Sequence, residues 1–171
     1  MNRIVCFLAT ILFLAGASAT SHAQSKSPSP AEGIRNKFAS VNKQILEMAK
    51  DFPEEKYGYK PTPEVRSFGE VIVHIFSGNV YAAKAGRGEK ANWDELDAKN
   101  YKTKAATVEA LAKSINDATA TLKAVPNARF TTTLSPWLSV IEHSAEHYGQ
   151  LVVYYRLNGL VPPASRAAPS Q

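Results

Sequence analysis

Apolar residues recur at steps of three and four in four separate segments, and no segment alternates apolar and polar residues convincingly at period two. Such spacing buries one stripe of a helix rather than one face of a strand. It is most sustained in the first segment, where Ile34, Phe38, Val41, Ile45, Met48 and Phe52 step by 4, 3, 4, 3 and 4. Ser29-Pro30-Ala31-Glu32 precedes it as a capping box with proline at the first helical position, and Pro53 ends it. A second box, Ser67-Phe68-Gly69-Glu70, opens helix 2, whose apolar positions include Val71, Ile72, Ile75, Phe76 and Val80; Gly86 and Gly88 close it. Helix 3 is predicted from about Lys104 to Ala124, before Pro126, and helix 4 from near Pro136 to about Leu157, capped by Asn158-Gly159. The expected fold is all-α, a four-helix bundle over residues 31–163, with a long crossover between helices 2 and 3.

The chain begins Met-Asn-Arg, runs apolar from Ile4 to Leu14, and continues with Ala15, Gly16, Ala17, Ser18 and Ala19. A positive start, a short apolar run and a small-residue zone are the parts of a secretory signal peptide. The run is shorter than the ~20 residues of a membrane span. Cleavage after Ala19 or Ala23 satisfies the small-x-small rule, and the second is favoured. The expected organisation is therefore a signal peptide at 1–23, a Ser/Pro tether at 24–30, the bundle, and a disordered tail at 164–171. The product is exported, periplasmic or secreted, with no stable membrane anchor after cleavage. Cys6 and His22 leave with the signal, so the mature chain has no thiol for a disulfide, a nucleophile or a metal. The formal charge of +5 comes from 20 basic and 15 acidic residues. Lys99, Lys102, Lys104, Lys113 and Lys123 are interleaved with Asp97, Glu109 and Asp117, which reads as a solvated face, so no nucleic-acid partner is expected.

Three histidines remain. His143 and His147 stand four apart, so they project from one helix face about a turn from each other. His74 lies within the apolar run Val71-Ile72-Val73-His74-Ile75-Phe76 and must face the interior or its margin. A buried imidazole needs a hydrogen-bond partner or a metal. Three neutral imidazoles on facing helices supply a set of nitrogen ligands with coordination positions left open, as in catalytic zinc sites; imidazole suits nickel, iron or copper as well. A divalent cation, zinc or nickel, is the expected cofactor. Gln150, near the histidine arc, and Glu70, one turn before His74, are candidates to orient the rings. Tyr81, Trp137 and Tyr154 are candidate pocket residues. Gly78 is expected to leave room beside His74 or to permit close helix packing.

The run Glu142-His143-Ser144-Ala145-Glu146-His147-Tyr148-Gly149-Gln150-Leu151, continuing through Tyr154-Tyr155-Arg156-Leu157-Asn158-Gly159-Leu160-Val161-Pro162-Pro163, resembles the last helix of DinB-like proteins. Pro61-Thr62-Pro63-Glu64-Val65-Arg66-Ser67-Phe68-Gly69-Glu70, with His74 following, resembles the start of that family's second helix. The likeness extends over about residues 31–163. It implies a four-helix bundle with a crossover between helices 2 and 3, and a divalent metal held by three histidines that map onto His74, His143 and His147. It also implies a homodimer, the state of many relatives. Characterised relatives include metal-dependent transferases that use low-molecular-weight thiols, and some hydrolases and isomerases. An exported chain does not meet the cytosolic thiols, which argues against the thiol-dependent reaction.

Two functions from different classes follow. One is a metal-dependent hydrolase or transferase acting on a small-molecule substrate, with the ion as Lewis acid. The other is a non-catalytic metal-binding or structural stress-related bundle, favoured by the lack of a placed general base or a nucleophile motif. A haem bundle is poorly supported: there is no Cys-x-x-Cys-His motif, and Met48 is the one methionine left after processing.

Overall fold

The Ser29 hydroxyl accepts the Glu32 N–H, and the Glu32 carboxylate accepts the Ser29 N–H at 2.6 Å, closing the cap that starts α1 (Pro30–Asp51). The reciprocal box of Ser67 and Glu70 starts α2 (Phe68–Gly86), and the Thr103 side chain caps α3 (Lys104–Ala124). α4 (Leu134–Leu157) begins two residues before the expected Pro136, whose missing N–H falls harmlessly in the first turn. Gly159, at a φ of 70°, turns the chain away from the end of α4. The computed structural model describes residues 27–130 and 134–167. The expected signal peptide and residues 168–171 of the expected tail lie outside them. Among the described residues no helix is long and apolar enough to cross a membrane.

α1 and α2 each pack against both α3 and α4, so α1–α2 and α3–α4 are the diagonals of the bundle. Helix directions follow from contacts at the ends. Lys104 Nζ, at the start of α3, donates to the Phe52 carbonyl at 2.8 Å, and Phe52 stacks on Phe68 at the start of α2 with centroids 3.8 Å apart. Arg87, just past α2, bonds Asp117 and Thr121 in the second half of α3. α2 and α3 are therefore parallel, and residues 87–103 run back along the bundle between them. This is the expected crossover. It is pinned by Leu96 N–H on Ser77 Oγ at 3.0 Å and by Tyr101 edge-on to Phe76.

Apolar burial is divided into two clusters. One gathers Ile45, Met48, Phe52, Phe68, Ile72, Phe76, Leu111 and Tyr155, all within 1% of full burial. The other centres on Phe38, Ala82, Leu122, Trp137 and Val140. Each large aliphatic or aromatic chain so buried contributes about 1.5–3 kcal/mol before entropy is counted. Tail ordering extends further than expected: Pro163–Ser165 forms a short 3-10 turn, and Arg166 Nη1 reaches Asp51 Oδ1 at 2.8 Å. The expected disorder from 164 gives way here to an ion pair that holds the chain to the end of α1.

Candidate metal centre

Capping at Ser67 sets the register of α2, placing Val73 and Ile75 in the core and His74 at its margin, with 18% of its side chain exposed. α4 carries His143 and His147 on the flank that faces α2. The two helices are neighbours, and the three rings converge with centroid separations of 4.7, 4.7 and 4.5 Å. One ligand nitrogen from each lies within 4.8 Å of the others. His74 Nε2 and His143 Nε2 are 3.0 Å apart. Two nitrogens at ~2.1 Å from a tetrahedral ion stand about 3.4 Å apart, so the His74–His143 pair would open slightly and wider separations in the cluster would close to admit one.

The outer nitrogens differ. His147 Nδ1 is bonded to Gln150 Oε1 at 2.7 Å, which leaves the Nε2 lone pair on the side of the other rings. His74 Nδ1 lies 3.3 Å from Glu95 Oε1 without hydrogen-bond geometry. His143 Nδ1 is buried with no partner, close to Gly78. The inner Nε2 atoms of His74 and His143, face to face in an all-imidazole donor set, are the nitrogens a borderline cation would take. Burial is the main cause that lowers the pKa of His74, and Arg66 and His147 add to it. Burial, then the neighbouring His147 and His74, pushes His143 down to about 4. Both rings are thus neutral at pH 7, with lone pairs available to a metal.

Glu70 does not orient His74: its carboxylate is spent on the Ser67 N–H at 2.6 Å and on Lys60 at 3.1 Å. Glu95, from the crossover, is the carboxylate that stands beside its Nδ1. Its carboxylate also grips Arg66 through Nε at 3.1 Å and Nη2 at 2.9 Å, and these bonds are the main cause that holds its pKa below the usual range. Trp137 does not line the site either; it is buried in the other cluster, edge-on to Phe38. Tyr81 stacks on Trp93, whose ring stands 4.8 Å from that of His143, so it borders the site at one remove. Tyr154 is buried beneath it, where its hydroxyl donates to the Arg66 carbonyl. Gly78 makes room for Trp93 and His143 rather than for His74. The Arg66–Glu95 pair walls a surface cavity of about 410 Å³ that no histidine lines.

No curated protein matches the chain. A family model described as the DinB superfamily matches residues 37–154, a span that takes in most of α1, all of α2 and α3, and α4 through Tyr154. All three histidines, and the crossover that brings Glu95 and Trp93 to them, fall inside the match. On that match the chain belongs to the DinB superfamily.

Proposed function

We propose that this protein binds one divalent ion, zinc or nickel, through Nε2 of His74, His143 and His147, and acts in the cell envelope as a metal-dependent hydrolase or transferase on a small molecule. The observation that carries the reading is convergence: three imidazoles from two helices bring ligand nitrogens within 4.8 Å. A divalent ion held there supplies Lewis-acid polarisation of whatever group it coordinates. Gln150 fixes the His147 ring by its outer nitrogen, and Tyr154 braces the Arg66 backbone beside the site. Envelope location rests on the signal-like first 23 residues. The non-catalytic reading is favoured by one placement: Glu95 is at the outer nitrogen of His74, where it supports a ligand and is not a base for the reaction.

The test is to express the full chain with export, purify the mature protein, expected to begin at Gln24, and measure bound metal by elemental analysis. About one equivalent per chain is expected, falling at least tenfold in His147→Ala. Equal metal content in the two proteins would overturn the reading.

A further inference from the structure

Glu95 is brought to His74 by an irregular stretch of chain anchored on both sides of it. Leu96 donates its N–H to Ser77, and Trp93 fills the space over Gly78 against His143. The carboxylate is clamped by two Arg66 nitrogens, and the Arg66 carbonyl accepts the Tyr154 hydroxyl. Held in this way, it stands at the outer nitrogen of His74 and outside the set of three grouped ligand atoms.

Proton bookkeeping among the rings gives this placement a role. The 3.0 Å contact between His74 Nε2 and His143 Nε2 needs one donor and one acceptor. A proton on His143 Nδ1 would be a buried N–H with no acceptor, which costs more than a bare lone pair there. Without an ion, the His143 proton is therefore on Nε2 and is given to His74 Nε2. The His74 proton must then be on Nδ1, 3.3 Å from Glu95 Oε1, where the carboxylate's charge favours it although the hydrogen-bond geometry is not met. We propose that Glu95, clamped by Arg66, is a positioning residue that holds His74 as the Nδ1–H tautomer, with the Nε2 lone pair turned to the point the three histidines share. The inference rests on the metal-binding reading above.

Cobalt(II) titration of the mature protein tests it, together with nitrogen NMR of the metal-free imidazoles. Glu95→Ala is expected to weaken cobalt binding by about 10–100-fold, to shift the visible cobalt band, and to raise the Nε2–H fraction of His74. Glu95→Gln keeps an oxygen acceptor and recovers part of the loss; if the alanine variant does not fold, the glutamine variant carries the test in the same direction. Cobalt affinity within about twofold of wild type, with band and tautomer unchanged, would overturn the proposal. If that result came with binding abolished in His147→Ala, the metal reading would survive and only the role of Glu95 would fall. A wild-type protein that binds no cobalt would overturn both.

Discussion

Gly78 illustrates how little a single position can change without reaching the site. A Cβ there would lie 2.7 Å from Trp93 Cζ2 and 3.3 Å from His143 Nδ1. Gly78→Ala gains about 1 kcal/mol of helix propensity but forces the indole out, at a cost of about 1–3 kcal/mol. We expect a net loss near 1 kcal/mol in chemical denaturation and altered tryptophan emission; unchanged stability and emission would contradict the packing. The carboxylate assignments show what spacing can and cannot reveal. Glu70 invites pairing with His74 because it is one turn away, yet the same residue completes the Ser67 box, and its carboxylate cannot serve both. Glu95 carries no periodic signal, since it lies in an irregular segment and reaches His74 only through the tertiary path of the crossover. Gln150 was legible because it shares a helix with His147 at a three-residue spacing.

At the level of elements, both capping boxes, the α1 seam and the limits of α3 were readable because caps and apolar steps are local properties of the chain. The tail was not: Arg166 meets Asp51 across the fold, a contact that no local pattern announces. That pair makes the C-terminal segment sensitive to acid. Arg166 is the main cause that holds the Asp51 carboxyl below its usual pKa. A carboxyl depressed in the folded state adds stability above its unfolded pKa, near 4, and this is lost as pH falls through the folded value. Because the pair is largely solvated, Asp51→Asn should lower Tm by only about 1–3 °C at pH 7. The gap to wild type should narrow as pH falls from there and close once it has passed below the folded pKa of Asp51. A gap that stayed constant through that acid range would mean the pair contributes nothing.

For the molecule as a whole, an ion bound only by the folded chain is a stabilising ligand. At a free concentration 100 times Kd it adds about 2.7 kcal/mol, or roughly 5–10 °C for a chain of this size. Zinc should raise Tm of the metal-stripped protein on that scale, and the shift should vanish in His147→Ala. An equal shift in both proteins would place the ion elsewhere. Family and architecture were legible in the sequence, since the HxxxH run and the four apolar segments together point to them. Substrate was not, because no histidine lines the cavity walled by Arg66 and Glu95 and the ligands themselves say nothing about what an ion would polarise. The parallel course of α2 and α3 has a consequence for assembly. α1 and α2 are diagonal, as are α3 and α4, while α2 and α3 are joined by a connection as long as the bundle. No two helices adjacent in sequence form an antiparallel hairpin; the sequence neighbours that do pack, α2 and α3, must first close the long connection between them. Native contacts are therefore more distant in sequence, and folding should be slower than in an up-down-up-down bundle of equal size.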